Sequence, residues 1–324
     1  MKNINKNNLK KVLYKMLLIR ETDLQISKTY SQNQMRCPVH LSVGQECVPS
    51  VVGTFTSKKD LCVSTHRSHA HYLGKGGSLK KFISEIYGKS TGCSKGRGGS
   101  MHLTDMNVGF VGSTAIVSNT IPVGVGLSLS SKILGKKQVT NIYLGDASVE
   151  EGVFFESLNF AIVKKIPVIF VCENNFYSVY SPLSVRQPKN RKIYKMVRGC
   201  NIKSYKANGN YTYEVMSSFL KAKNFAEKNS EPVFLEYQTF RWLEHCGPNL
   251  DDHLKYRNKK EILYWKKNDP IKILESFLLR KKIINDNSLK IMKNLIKKKI
   301  NLAFDYAKRS PFPKKEDIYK YLYK

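Results

Sequence analysis

Apolar residues recur at helical spacing over residues 10–30, where Leu13, Met16, Leu17 and Leu24 fall near one face. Further along, the pattern changes to short, nearly solid apolar runs at 139–144, 168–171 and 232–237. Runs of that length, bounded by turn residues, read as buried strands. A fourth strand at residue 61 runs into a polar turn, LCVSTHRSHAHY. Helical spacing returns at 79–87 and at 122–130, the latter with small residues on one side. Between the runs at 139 and 168 lie a Gly145-Asp146 turn, a helical segment and Pro167, which ends the helix. Strand, helix and strand in about thirty residues form a βαβ unit with parallel neighbours and a right-handed connection. The fold class expected is therefore α/β: a mainly parallel sheet with helices on both faces. Residues 1–254 form this domain, and 255–324 form a helical C-terminal extension. There Leu289, Met292, Ile296, Ile300 and Phe304 make an apolar stripe behind an Asn287-Ser288 cap signal.

Composition narrows the class. At 324 residues, with 41% hydrophobic and 11% aromatic residues, the chain can bury a sizeable core. No window approaches the roughly 18 uninterrupted apolar residues of a membrane helix. The basic N-terminus has its apolar run broken by Lys15 and is not read as a signal peptide, so a cytoplasmic protein is expected. The net charge of +30 invites a nucleic-acid reading. Against it, the 55 basic residues comprise 44 Lys and only 11 Arg, whereas base readout favours the Arg fork. Residues 255–324 alone hold 21 Lys/Arg against 7 Asp/Glu. Solvated faces or an acidic protein partner account for this better, and neither nucleic acid nor membrane is an expected partner. Seven scattered cysteines without a C-x-x-C pair argue against a disulfide framework or structural zinc.

The βαβ unit carries the first candidate chemistry. It brings Asp146 and Asn175 to the carboxyl edge of the sheet, where open α/β folds bind ligands. A carboxylate and an amide oxygen, with the backbone carbonyl of Tyr177 nearby, are hard donors suited to Mg²⁺ completed by phosphate oxygens. A buried Asp–Asn pair that merely caps strand ends is the plainer reading. His66, Arg67, His69 and His71 crowd one turn, but Arg67 in their midst and the lack of a carboxylate oppose a metal site. Four glycines in residues 92–99, with Lys95 and Arg97, make a basic loop without the order of a P-loop. His40 precedes a helix start, and His245 follows the strand at 232–237. Both are ordinary structural positions on spacing alone.

The wording of these segments is more specific than their spacing. Gly-Asp-x, about 27 residues, then Asn-Asn resembles the thiamin-diphosphate motif. EGVFFESLNFA, KIPVIFVCENN, CPVHLSVGQE, STHRSHAHYLGKG and GRGGSMHL resemble the alpha subunit of the decarboxylating component of 2-oxo acid dehydrogenases, over residues 10–322. Pyruvate, branched-chain and acetoin dehydrogenases belong to that family. The resemblance implies thiamin diphosphate and Mg²⁺ as cofactors, with Asp146, Asn175 and Tyr177 on the metal. It implies His66 and Arg67 as a phosphate-facing pair, with His66 where many relatives have Tyr. It also implies Val117, Ala147, Ser148 and His245 against the cofactor, and His40 and His245 acting on the reaction intermediate. The substrate implied is a 2-oxo acid, pyruvate first, and the acceptor is a lipoyl-bearing acyltransferase component. A beta subunit is implied too, completing an α2β2 heterotetramer and supplying the carboxylate that activates the cofactor. Two departures stand out: Ala147 replaces the family's usual Gly, and Cys246 follows His245 where animal pyruvate enzymes carry a regulatory Ser. A split transketolase and a non-catalytic scaffold with the same fold are the alternatives.

Overall fold

A computed structural model describes residues 5–320. The first four residues of the basic N-terminal stretch and the last four of the C-terminal tail lie outside it. The central sheet contains β1 (Leu61–Ser64), β2 (Phe110–Ser113), β3 (Thr140–Gly145) and β4 (Val168–Asn174). A two-stranded hairpin of β5 (Tyr177–Ser178) and β6 (Ser181–Pro182) follows, and β7 (Lys203–Asn208) and β8 (Val233–Gln238) complete the sheet. Its order is β2-β1-β3-β4-β8-β7, with every pairing parallel.

The solid apolar runs are explained by burial on both faces. Tyr143, Ile169, Val171, Leu235 and Tyr237 point into one core, and Ile142, Leu144, Phe170, Cys172 and Phe234 into the other. The first core is covered by helices Lys6–Thr29, Cys47–Phe55, Leu79–Ile86, Thr212–Asn229 and Asp286–Arg309. The second is covered by helices Thr120–Ile133, Gly152–Val163 and Ile193–Gly199. Leu289, Ile296, Ile300 and Phe304 of the C-terminal helix share one apolar cluster with Leu13, Met16 and Phe82. Met292 packs against its edge.

Several local expectations need correction. Leu24 is 42% exposed, because the buried stripe of its helix turns aside to follow hydrogen bonds. Arg20 reaches Glu46 and Asp269, and Asp23 reaches Ser42 and His69. The polar turn after β1 is short: His69–Lys75 is helical and buries His69 and His71. The C-terminal helix is capped by Asn285 in a box with Ser288, two residues before the expected cap. β7 and helix Thr212–Asn229 occupy a stretch between the apolar runs at 168 and 232 for which no element was expected.

Candidate active site

β3 and β4 end side by side, with Gly145 opposite Glu173. Asp146 opens the short turn Asp146–Glu150 immediately after β3, and Asn175 follows the last residue of β4. Consecutive asparagine turns shape the exit from β4. Asn174 Oδ1 accepts from the Phe176 amide (3.1 Å), and Asn175 Oδ1 from the Tyr177 amide (3.2 Å). Phe176 and Val179 then adopt φ of 71° and 53°. A β-branched residue in the left-handed region costs about 1–3 kcal/mol and persists only where its surroundings impose it. Here Arg241 imposes it, donating to the Val179 carbonyl at 2.8 Å. The Tyr177 ring is anchored away from β4 by its hydroxyl, which donates to Glu261 at 2.6 Å.

One cleft gathers nearly all the residues singled out above. His66, Arg67, Val117, Asp146, Ala147, Ser148, Asn175, Tyr177 and His245 line it. His40 lies behind them, with its ring centroid 4.7 Å from that of His66 and 5.2 Å from that of His245. Backbone pairing makes this meeting possible. Gly247 donates to the Val39 carbonyl and Trp242 to that of Val43, so the two distant segments run together. Ala115, unlike Val117, is not part of the lining.

The electrostatics divide the cleft in two. At its floor Asp146 is 2% exposed, and Arg186 contacts it while also reaching Glu150. Burial raises the Asp146 carboxyl above the usual range, while Arg186 and the adjacent backbone amides pull against it. Toward the opposite wall, His40, His66 and His245 are pushed down to about 2, 4 and 3, first by burial and then by Arg67, with His66 adding to the shift of the other two. They are neutral imidazoles at physiological pH. Their nitrogens lie within 4.8 Å of one another, a count that would suit a soft divalent ion. Arg67 sets a fixed positive charge against that use. Its guanidinium donates to the carbonyls of Leu41 (2.7 Å) and His245 (3.1 Å), pinning the segments that carry both histidines.

Three further cleft groups were not singled out from sequence. Gln45 receives the Asn175 amide at 3.4 Å and donates to Thr239 at 3.0 Å. Glu173 accepts from or shares a proton with His71 at 2.7 Å, while its Oε1 is buried without a partner. Arg186 arrives from the one-turn helix Leu183–Arg186 that follows the β5–β6 hairpin, outside the cleft lining but against Asp146. The GQE and ENN wording contained the first two. Nothing in the spacing pointed to the third.

Comparison with known proteins identifies the family. The family model described as "Dehydrogenase E1 component" matches residues 14–316. The chain belongs to this family. The pyruvate dehydrogenase E1 component subunit alpha of Rickettsia bellii is 33% identical over 308 residues, covering 95% of this chain and 93% of that relative. The mitochondrial counterpart of Pisum sativum is 34% identical, covering 95% of this chain and 76% of that relative. The pyruvate dehydrogenase E1 component subunit alpha of Porphyra purpurea is 33% identical, covering 99% and 96%. As an E1 alpha-type chain the protein is a component of a thiamin-diphosphate-dependent enzyme. The cleft suits the E1 cofactor on its own evidence. A buried carboxylate whose charge is answered by a borrowed guanidinium, beside an amide oxygen, is a donor set that a hard divalent cation and its diphosphate would satisfy.

Proposed function

We propose that the chain is the diphosphate-holding alpha subunit of a 2-oxo acid dehydrogenase, acting on pyruvate and passing the acyl group to a lipoyl-bearing acyltransferase component. The observation that carries the reading is the pairing, in one cleft, of Asp146 and Asn175 on its floor with His245 on its wall, and His40 packed against His245. Asp146, Asn175 and the Tyr177 carbonyl hold Mg²⁺. Val117, Ala147 and Ser148 flank the cofactor, and His66 and Arg67 bound it from the side of β1. Thiamin diphosphate, when bound, supplies the electron sink that lets a 2-oxo acid lose its carboxylate. His40 and His245, neutral and within a hydrogen bond's reach of a shared space, accept or return a proton at the substrate oxygen. Arg67 orients both by holding their backbones.

A second chain is part of the proposal. Ile116, Val123, Phe155, Phe160 and Val163 are exposed, and they sit on or beside the two helices that flank the Asp146 turn. Several exposed large apolar side chains on two neighbouring helices favour an interface. We assign it to the beta subunit of an α2β2 assembly, which brings the remaining half of the site. The surface charge needs no nucleic acid, and a cytoplasmic setting is proposed. Among the described residues, no helix is long and apolar enough to cross a membrane. The test is direct. Purified alone with Mg²⁺ and thiamin diphosphate, the chain should not decarboxylate pyruvate, and addition of the beta chain should restore turnover. Robust turnover by the lone chain would refute the division of labour.

A further inference from the structure

A second concave site lies among the ends of three helical segments and shares no lining residue with the cleft. Asn33, Gln34, Arg36, Tyr87, Lys89, Lys308 and Phe312 form it, around a cavity of about 290 Å³. Three of the seven are cations and none is a carboxylate.

Lys89 is the decisive residue. It is 7% exposed, and its ammonium sits 3.6 Å from the Phe312 ring centroid. Among the described residues, no hydrogen bond or ion pair of its side chain accompanies that contact. The stem is buried while the ammonium opens on the cavity, and a ring face satisfies none of its three donors fully. Helix ends offer an ordinary explanation for clustered cations, since terminal carbonyls attract them. That explanation falls short here. The carbonyls of Ile83, Ser84 and Glu85 at the end of helix Leu79–Ile86 already accept from Tyr87, Lys89 and Gly88 backbone amides. The Lys89 side chain goes to the cavity instead.

Tyr87 is a second, independent sign. Its hydroxyl is buried in a residue 2% exposed and makes no hydrogen bond of normal geometry. Thr29, whose hydroxyl donates to the Gln25 carbonyl at 2.7 Å, lies near enough to influence it, but among the described residues the pair falls short of hydrogen-bond geometry. Arg36 extends over the same Phe312 ring at 5.6 Å. Ser90 donates twice to the Pro311 carbonyl (3.0 and 3.1 Å), fastening the segment that carries the ring.

We infer that this cavity binds a small phosphorylated metabolite, its phosphoryl group received by Lys89, Arg36, Lys308 and the Tyr87 hydroxyl. A phosphoryl oxyanion supplies the acceptors that the three cations and the phenol lack, and it neutralises a cation cluster that is otherwise self-repelling. Asn33 and Gln34 at the exposed rim present amides to the organic part. The site stands apart from the proposed catalytic cleft, so it does not depend on that reading.

The experiment titrates inorganic phosphate, glycerol phosphate and acetate into the full chain by calorimetry, at ionic strength fixed with chloride. Saturable phosphate and glycerol-phosphate binding is expected, with acetate weaker. Lys89→Gln should weaken it by about tenfold or more, the loss of one charge-assisted hydrogen bond. The exposed Lys308→Gln should weaken it about two- to fivefold, and it cannot disturb the core. Lys10→Gln, in a separate basic groove with Lys11, Lys15 and Lys299, should change nothing. Thermal melting gives a parallel readout, since bound phosphate raises the wild-type midpoint and should fail to raise that of Lys89→Gln. No phosphate binding above the chloride baseline would overturn the proposal. So would affinity that is indifferent to both Lys89→Gln and Lys308→Gln, which would place the anion in the cleft or on the general surface.

Discussion

Two buried polar assemblies border the same cleft and are built on opposite terms. In the first, Asp251 receives Arg241 at 3.1 Å and contacts Arg257 and the Tyr256 hydroxyl. Arg257 in turn donates to the Arg241 carbonyl at 2.7 Å. Burial would push the Asp251 carboxyl up, but Tyr256 and the two guanidiniums outweigh it and hold it below the usual range. The second assembly is the trio of His40, His66 and His245, with the Glu173 carboxylate deeper in the cleft. Among the described residues, His40 Nδ1 and Glu173 Oε1 are both buried with no hydrogen-bond partner. In the first assembly the Asp251 carboxylate has both oxygens engaged and props the strained Val179 loop through Arg241, even though Nε of Arg241 and of Arg257 is left without a partner. A carboxylate matched by two guanidiniums specifies the scaffold, whereas a carboxylate oxygen and a ring nitrogen without protein partners beside a cleft can be met by substrate or cofactor. Mutation should separate the two assemblies: loss of ligand without loss of fold in one, and the reverse in the other.

The largest effect should come from Asp146→Ala. Thiamin-diphosphate binding in the presence of Mg²⁺ should fall below detection by calorimetry, while the melting midpoint moves little. Arg186 would keep its contact with Glu150, so the change does not strand a buried cation. Cofactor affinity unchanged from wild type would remove Asp146 from the metal site.

Next come His40→Ala and His245→Ala, measured with the beta chain present. Turnover should drop by about 10²–10⁴, the range for losing a general acid–base group, with cofactor affinity kept within a few fold. A parallel loss of affinity in His245→Ala would reassign that residue to cofactor binding. The same variants carry a stability signature whose sign is fixed by the shifts. In the fold these imidazoles stay neutral down to about 2 and 3, whereas unfolded imidazoles protonate near 6.5. Below that pH the unfolded state binds more protons, so wild-type stability falls as pH falls through this window. Each alanine variant should show a shallower acid limb in its melting curve. A limb as steep as wild type would mean that the rings are charged in the fold.

Asp251→Ala should behave in the opposite way, destabilising by about 3–5 kcal/mol because two buried guanidiniums lose their shared counter-ion. Chemical denaturation measures it directly. Cofactor affinity at a temperature where the variant is still folded should suffer less than its stability does. A variant as stable as wild type would show that Asp251 is not what balances Arg241 and Arg257.

Sequence and structure agree most closely where one local rule acts alone. The runs at 139–144 and 168–171 lie between two helical layers, and a strand buried on both faces has to be apolar throughout. The βαβ spacing then brings Asp146 and Asn175 together whatever the rest of the chain does. The meeting of His40 with His245 has a different origin. It depends on backbone pairing between segments some two hundred residues apart, which no periodicity encodes, and only family resemblance anticipated it. Arg186 was invisible because the four-residue helix that carries it is too short to show a period and has no motif. Leu24 misled for a related reason: the Arg20 and Asp23 partners outweigh apolar spacing on the second half of that helix.

The smallest effect concerns the departure at position 147. A methyl group replaces the family's usual hydrogen beside the proposed diphosphate, so crowding is the natural concern. The backbone argues against it. Ala147 is not among the residues with positive φ, and it lies in a regular 3₁₀ turn that any L-residue adopts without strain. Gly at this position would therefore relieve no backbone constraint and would add freedom to the unfolded chain. Ala147→Gly should cost about 0.4–1 kcal/mol of stability and change cofactor affinity by no more than a few fold. Calorimetry on the paired proteins reads both quantities. A gain of tenfold or more in cofactor affinity, roughly 1.4 kcal/mol, would show that the methyl does press on the diphosphate. The cleft floor would then be set by contact with the ligand and not by the turn that builds it.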